Sequence, residues 1–319
     1  MRHRTTMQRK AQAYLEHRRS LGFGLQSRGY LLLKFTKFLD RAGHRGPLKT
    51  DLAMRWVNLS ATVSRNYRAE RLSVVRCFAR HLAVRDGRSE VPDRQLVPKK
   101  AFHQRPHIYG ERELEQLLRA AGRMTPIYKL RPLTYQTLLG LLACTGLRIS
   151  EALKLTGGQV DLDHGVLRIE QTKFKKSRLA PLHPTATQAL RRYAAARDLR
   201  WGRRDNAAFF VGGNGLALPY GTVRRAFRRL CNTLGWHKGN GELPRPRIHD
   251  LRHSFACRRL LRWYRRGQNV HNLVAALSTY LGHGKVTDTY WYLTGTPQLM
   301  SIAGDRFEHF ASLADGRKP

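Results

Sequence analysis

Acidic residues are scarce in this chain. Its 319 residues include 22 Asp and Glu against 59 Lys and Arg, which gives a formal net charge of +37 and a sequence pI near 11.3. Solubility requires far less charge than this. Because nucleic acids are the commonest polyanions, the composition predicts a nucleic-acid partner.

Long apolar runs are also missing. We find no apolar stretch of about 18 residues, no secretory leader and no lipidation motif. The N-terminal segment MRHRTTMQRK is basic but is not followed by an apolar stretch. Although a membrane surface would attract cations too, these absences favour a cytoplasmic, nucleoid-associated protein.

Cysteine is rare, and the four cysteines are far apart. Cys77, Cys144, Cys231 and Cys257 form no CxxC pair. This spacing argues against a zinc site and against a disulfide framework. We therefore predict buried, reduced thiols and expect neither a metal nor a cofactor.

The apolar pattern predicts two domains. Residues 1–88 show helical spacing, with Leu31, Phe35 and Phe38 in one helix, further helices near 49–59 and 62–84, and arginines on the outer faces. Residues 89–107 lose this periodicity and contain prolines among basic residues, which is typical of a linker. A second domain is expected over 108–319.

The second domain is predicted to be mainly α with a small antiparallel β-sheet, an α+β fold. The segments VDLDHGVLRIE and SRLAPL flank a basic turn and are typical of two short strands. A further strand is predicted at 209–211. Helices are predicted at about 111–121, around 138–142, from about 185, from about 221, and over 249–266, 270–281 and 286–292.

Two segments place arginines where they could bind phosphate. Arg148 follows an apolar helix in TGLRISE, and a guanidinium offers a planar fork of donors that suits phosphate oxygens. In HDLRHSF, His249 and Arg252 lie three apart near a predicted helix N-terminus, which attracts anions. The alternatives are a local Arg148–Glu151 ion pair and a surface His–Arg pair.

The run QTKFKKSRLAPL places Lys173, Lys175 and Lys176 in the predicted hairpin turn. Such a run can be a solvated loop or a non-specific phosphate contact. A protonated lysine beside a leaving alkoxide would instead be an effective general acid, since its usual pKa is near 10.4. The hairpin position is compatible with all three interpretations.

Tyr292 lies nine positions after His283 in LGHGKVTDTYWYL. A phenol with a pKa near 10 is only about one part in a thousand ionised at pH 7, so a phenolate nucleophile needs nearby cations and a base. The alternative is that Tyr290 and Tyr292 are core aromatics on a short helix.

Taken together, these segments resemble the tyrosine recombinases, or phage integrase family, over nearly the whole chain. The family signature is an Arg in TGxRxxE, a hairpin Lys, a His-x-x-Arg pair, a His or Trp in an LGH segment, and a Tyr about nine residues later. The residues of this chain that match, in order, are Arg148, Lys173, His249, Arg252, His283 and Tyr292. Lys173 is the matching lysine by its register relative to SRLAPL.

The resemblance implies a two-domain, C-shaped clamp on double-stranded DNA, with a helical core-binding (SAM-like) domain before the catalytic domain. Arg148 and Arg252 would bind the scissile phosphate, and His283 would donate to a non-bridging oxygen. Tyr292 would attack phosphorus, leaving a 3′-phosphotyrosyl link. Lys173 would protonate the 5′ oxygen, and His249 would act as base or as a further phosphate contact.

The resemblance also implies a homo- or hetero-tetramer on two duplexes, sibling recombinases and a mobile-element setting. Residues 297–313 are a candidate docking helix, with packing on their own domain as the alternative. Tyr290 is a minor contender for the nucleophile, although the nine-residue interval favours Tyr292. The alternative functions are a type IB topoisomerase-like enzyme and a non-catalytic DNA-binding protein.

Overall fold

The computed structural model describes residues 6–60, 62–98, 106–126, 130–170, 177–203, 205–236, 245–290 and 292, with the single positions 301, 304 and 308. The chain divides into two compact units, Met1–His103 and Gln104–Pro319. The predicted Lys173 and most of the predicted docking helix at 297–313 lie outside the described residues.

The first unit is built from helices around a core of their apolar faces. The helices begin where the sequence supplies caps: the hydroxyls of Thr6 and Ser64 accept hydrogen bonds from backbone N–H groups of the first turns. Phe35, Trp56 and Phe78 are buried between the helices. The described elements are α1 (Met7–Ser20), α2 (Gln26–Arg41), α3 (Thr50–Val57), α4 (Arg65–Arg85) and a 3-10 turn at Arg94–Leu96.

Part of the predicted linker packs on the first unit. Ser89 accepts a hydrogen bond from the backbone of Leu48, Glu90 pairs with Lys49 at 2.8 Å, and the carbonyl of Pro92 accepts from Arg76. Val97 joins the core of that unit. The segment before residue 98 is therefore held by specific contacts, which the loss of apolar periodicity did not indicate.

The second unit carries most of its secondary structure as helices, with one small sheet. None of the helices within the described ranges is both long enough and apolar enough to cross a membrane. The described elements are α5 (Glu111–Gly122), α6 (Arg131–Thr145), α7 (Ile149–Lys154), a 3-10 turn at Gly157–Gln159, β1 (Val160–Asp161), β2 (Val166–Ile169), β3 (Arg178–Pro181), α8 (Pro184–Trp201), α9 (Tyr220–Thr233), α10 (Asp250–Arg265), α11 (Val270–Leu281) and α12 (Thr287–Tyr290).

Helix α6 is the central element of this unit. It packs against α5, α8 and α10, and residues on all its sides, including Leu138, Leu139 and Leu142, are buried. A helix that is apolar all round must lie inside a domain. The helix ends at Gly146, whose left-handed φ of +64° stops the helical hydrogen bonding and starts the turn to Arg148.

The described β-sheet confirms the predicted antiparallel arrangement. Its order is β1-β2-β3, with Leu167 opposite Ala180 and Ile169 opposite Arg178. Leu167, Ile169 and Ala180 are buried on the face toward the core. The strands thus bring Arg178, which follows the basic run, toward the helical part of the unit.

The predicted strand at 209–211 is wrong. This stretch lies outside the sheet strands. An isolated bridge joins Thr156 to Ala208 just before it, and a second joins its last residue, Val211, to Ala217. Phe209, Phe210 and Val211 are all buried, and the two phenyl rings pack around Tyr193. A short apolar run buried on every side resembles a strand in sequence, although here ring packing and a few backbone hydrogen bonds, such as that from Phe209 to the Leu155 carbonyl at 2.7 Å, hold it outside the sheet.

The prediction that all four cysteines are buried is wrong for two of them, since only Cys231 and Cys257 are buried. Cys77 is half-buried and Cys144 is exposed. Cys144 lies one residue before the end of α6, and its neighbours Ala143 and Thr145 are both buried. The apolar segment around it therefore misled the prediction of burial.

Candidate active site

Arg252 lies at the centre of the site and is held by backbone carbonyl groups. It lies in the first turn of α10 and is 2% exposed. Its two terminal nitrogens donate to the carbonyl oxygens of Gly146 and Leu281, each at 2.8 Å. These carbonyls close the C-terminal ends of α6 and α11, where the helix dipole favours a cation.

The charge of Arg252 persists in this environment. Burial, and then the nearby Arg148, lower its pKa to about 10. Since this value is still well above neutral pH, the guanidinium stays protonated. The site therefore holds a fixed positive charge next to a second arginine, an arrangement that suits an anionic group with several oxygens.

Arg148 is positioned by a buried carboxylate. It precedes α7, and its guanidinium pairs with Glu151 at 2.8 Å and donates to the carbonyl of Gly282 at 3.1 Å. Glu151 also accepts a hydrogen bond from the Arg148 backbone at 3.0 Å. The local ion pair considered from the sequence is thus present, and it orients Arg148 toward the segment that carries His283.

Arg178 completes this network and was missed by sequence reasoning. Its guanidinium pairs with Glu151 at 2.8 Å and donates to the carbonyl of Tyr280 at 2.7 Å. Burial alone would raise the pKa of Glu151, but Arg178 and then Arg148 outweigh that effect and lower it. Glu151 is therefore an anion shared by two arginines from different elements.

Two histidines at the start of α10 have their rings in contact. The rings of His249 and His253 meet edge to face with centroids 4.8 Å apart. Desolvation, followed by the charge of Arg252, lowers the pKa of His249, and burial lowers that of His253 to about 3. Both rings are therefore neutral at pH 7, so each retains a nitrogen that can accept a proton.

His283 follows the glycine that ends α11. Its Nδ1 atom lies 2.7 Å from the hydroxyl of Thr289. Burial, and then the cations Arg252 and Arg148, lower the pKa of His283 to about 4. Its imidazole is neutral at pH 7 and borders the same two arginines.

Tyr292 is buried among these groups. It is 3% exposed, whereas Tyr290 is 38% exposed. The Tyr292 ring lies 5.4 Å from that of His253 and 5.9 Å from that of His283, centroid to centroid. The positive charge of the Arg252 guanidinium acts on this phenol and favours its ionised form. The burial of Tyr292 and the exposure of Tyr290 favour Tyr292 as the reactive phenol.

The net effect of this environment on Tyr292 differs from the sequence expectation. Burial raises its pKa, and the opposing effects of Arg252 and Arg148 do not overcome that rise. The phenol is therefore protonated in the protein without DNA, so its attack on an electrophile requires a group that accepts the proton.

The structure brings together Arg148, His249, Arg252, His283 and Tyr292 of the residues predicted for the site. Two fixed guanidinium groups, neutral imidazoles and a buried phenol can bind a phosphodiester, polarise it and attack it. Lys173, the remaining predicted residue, lies outside the described part of the chain.

Comparison with known proteins identifies the same family that the sequence motifs indicate. The model of the phage integrase family matches residues 109–298. The putative integrase/recombinase y4rB of Sinorhizobium fredii is 39% identical over 95% of this chain and 98% of its own length. A second protein of that strain, the putative integrase/recombinase y4rE, is 38% identical over 93% of this chain and 94% of its own length.

Solved structures share the fold. The Tn1549 transposon integrase in complex with transposon right end DNA matches with a TM-score of 0.65 and 18% identity, over 96% of this chain and 100% of that one. The site-specific recombinase XerH bound to a palindromic difH substrate matches with a TM-score of 0.61 and 18% identity, over 89% of this chain and 80% of that one. The mainly helical fold with a small antiparallel sheet is thereby confirmed.

Proposed function

Since the chain belongs to the phage integrase family, we propose that it is a site-specific DNA recombinase that cleaves and rejoins strands through a 3′-phosphotyrosyl intermediate. The observation that carries this proposal is the burial of Tyr292 against His253 and His283, within the electrostatic influence of Arg252, a guanidinium that two backbone carbonyls hold in place. Such a phenol is pre-positioned beside a phosphate-binding group.

In this mechanism the scissile phosphate binds between Arg148 and Arg252, and His283 donates to a non-bridging oxygen. These contacts stabilise the charge that develops on the equatorial oxygens as phosphorus becomes five-coordinate. Because the guanidinium groups are already fixed by protein contacts, little reorganisation accompanies the reaction.

The bonding changes balance within one exchange. A bond forms between the Tyr292 oxygen and phosphorus while the bond from phosphorus to the 5′ oxygen breaks. The phenolic proton passes to a neutral imidazole, for which His249 is the candidate, and Lys173 supplies a proton to the departing 5′ oxygen. A 5′ hydroxyl from another strand reverses these steps and rejoins the DNA.

The setting we propose is a mobile element, with a homo- or hetero-tetramer acting on two duplexes and the first unit, Met1–His103, contributing to DNA binding. Two relatives from a single strain, each matching almost the whole chain, support the participation of sibling recombinases. The structural likeness to a transposon integrase agrees with a role in moving DNA segments.

The test is to trap the covalent intermediate. Purified protein is incubated with a plasmid library of DNA from its source genome, and the reaction is stopped with detergent. DNA retained on protein identifies the cleaved site, and mass spectrometry of the protease-digested complex identifies the modified residue. We expect a nucleotide adduct on Tyr292.

Matched variants decide the outcome. Tyr292→Phe should abolish the covalent complex, whereas Tyr290→Phe should retain it, because Tyr290 is the more exposed of the two phenols. If Tyr292→Phe traps DNA as well as the parent protein does, the assignment is wrong. Two labelled duplexes carrying the recovered site then separate strand exchange from the mere resealing of a topoisomerase-like enzyme.

A further inference from the structure

The hydroxyl of Thr289 is a feature of the site that the mechanism above does not use. Thr289 lies on α12 and is 0% exposed. Its hydroxyl oxygen is 2.7 Å from Nδ1 of His283. The same residue precedes Tyr292 by three positions in the sequence, so one short segment carries both the phenol and the partner of the histidine.

The direction of this hydrogen bond follows from where the hydroxyl proton can go. Other buried or helical threonines give that proton to a backbone carbonyl: Thr134 donates to Leu130 at 3.0 Å and Thr279 donates to Ala275 at 3.1 Å. Within the described residues, Nδ1 of His283 is the only hydrogen-bond partner of the Thr289 hydroxyl. A buried donor without an acceptor is costly, so Thr289 donates to Nδ1.

A nitrogen that accepts a hydrogen bond carries no proton of its own. Because burial and the flanking Arg252 and Arg148 keep the His283 ring neutral at pH 7, the ring has a single N–H. That proton must then reside on Nε2. In the opposite tautomer, Nδ1 carries the proton. Either two hydrogens would then lie between Nδ1 and the Thr289 oxygen, or the hydroxyl would turn away and lose its acceptor.

We propose that Thr289 is a positioning residue that fixes the Nε2–H tautomer of His283, so that the ring presents a donor to a non-bridging oxygen of the scissile phosphate. The inference rests on the proposed function for the role of that donor. It adds the group that holds the donor in its reactive form, and this group lies on the segment that delivers Tyr292.

The experiment compares Thr289→Val, which removes the hydroxyl while keeping the shape, with Thr289→Ser, which keeps the hydroxyl. Two-bond proton–nitrogen NMR correlations on the full chain, labelled in histidine, report the tautomer, and a His283→Ala sample assigns the signal. We expect Nε2–H alone in the parent and in Thr289→Ser, and a mixture of tautomers in Thr289→Val. An unchanged Nε2–H signal in Thr289→Val would overturn the proposal.

Cleavage rates on the DNA site recovered above give an independent readout. Thr289→Val should slow covalent complex formation on the order of tenfold. This is less than the loss expected when a donor to the transition state is removed outright, because part of the His283 population keeps the Nε2–H tautomer. Thr289→Ser should retain the parent rate. In the His283→Ala background Thr289→Val should cause no further loss. Equal losses in both backgrounds would show that Thr289 acts only through the fold.

Thr134→Val is the matched control, because it also removes a buried hydroxyl that bonds within the protein; it should leave the His283 tautomer unchanged. The tautomer measurement needs no DNA cleavage. A parent protein that forms no covalent complex would therefore defeat the proposed function, while the NMR comparison would still decide the role of Thr289.

Discussion

Glu151 shows how a single carboxylate organises the cations of the site. Both of its oxygens are used, since Arg148 and Arg178 each pair with it at 2.8 Å. Glu151 is buried, so its negative charge is little screened by water. The carboxylate orients Arg148 and also ties β3, which carries Arg178, to α7, which carries Glu151.

Replacing Glu151 with Gln should destabilise the second unit. The variant keeps the shape but leaves two guanidinium groups without their anion, and removing one partner of a buried ion pair costs about 3 kcal/mol or more. Urea unfolding of the full chain measures the change in the free energy of unfolding. Covalent complex formation should fall as well, because Arg148 loses its orientation.

Glu115→Gln is the matched control. Glu115 pairs with Arg119 at 3.1 Å, but both side chains are more than 60% exposed, and exposed pairs contribute about 1 kcal/mol or less. A loss in Glu151→Gln no greater than in this control would contradict the view of Glu151 as an organising anion.

The residues of the site differ in how well the sequence reveals them. Arg148, His249, Arg252, His283 and Tyr292 were predicted because their order matches a known signature. Arg178 and Thr289 were not singled out, since their roles come from contacts that the fold creates. Arg178 meets the Tyr280 carbonyl, a group that leaves no sequence signal.

At the scale of elements, the end of α6 is the most constrained point of the site. Gly146 has a φ of +64°, and a Cβ atom there would lie 2.5 Å from a ring carbon of Phe255. The same residue supplies a carbonyl oxygen to Arg252. The positive φ and the packing against Phe255 both require glycine here, and a shift of this residue would also move the carbonyl that binds Arg252.

Gly146→Ala should lower both stability and cleavage. A left-handed alanine costs about 1–2 kcal/mol, and the clash with Phe255 adds about 1–3 kcal/mol. Gly267→Ala is the control, because Gly267 has a φ of +67° but open space around its Cβ position. Urea unfolding should show a clearly larger loss for Gly146→Ala; similar losses would mean that packing against Phe255 is unimportant.

The helices were predictable because their signals are local. The predicted helix over 270–281 coincides with α11, and that over 249–266 differs by one residue at each end from α10. Caps and apolar periodicity suffice for such elements. The error at Phe209–Val211 has a different origin, since contacts with residues distant in sequence, including Tyr193 and Leu155, hold that segment.

At the scale of the whole molecule, the excess of 59 basic over 22 acidic residues is partly concentrated near the site. Helix α9 buries Val223, Phe227 and Leu230, while Arg224 and Arg228 are exposed. These two arginines line a groove of about 430 Å³ that reaches His249. Such a groove suits a nucleic-acid backbone leading away from the reacting phosphate.

DNA binding by the full chain should therefore depend steeply on salt. The logarithm of the association constant should fall by about 0.9 per neutralised phosphate for each logarithmic unit of salt. Arg224→Gln or Arg228→Gln should reduce this slope by roughly one phosphate contact, measured by fluorescence anisotropy over a series of NaCl concentrations. Arg119→Gln, on the exposed side of α5, should leave the slope unchanged. Equal slopes for all three variants would contradict a phosphate contact in the groove.

Because the carbonyl oxygens of Gly146 and Leu281 anchor Arg252, the site should tolerate substitutions in the neighbouring groove. Its principal ties belong to the main chain, so substitutions of the groove-lining side chains leave them intact. Directed evolution toward new DNA sequences can therefore mutate α9 and its surroundings. The C-terminal ends of α6 and α11, which bind the guanidinium, should be left unchanged.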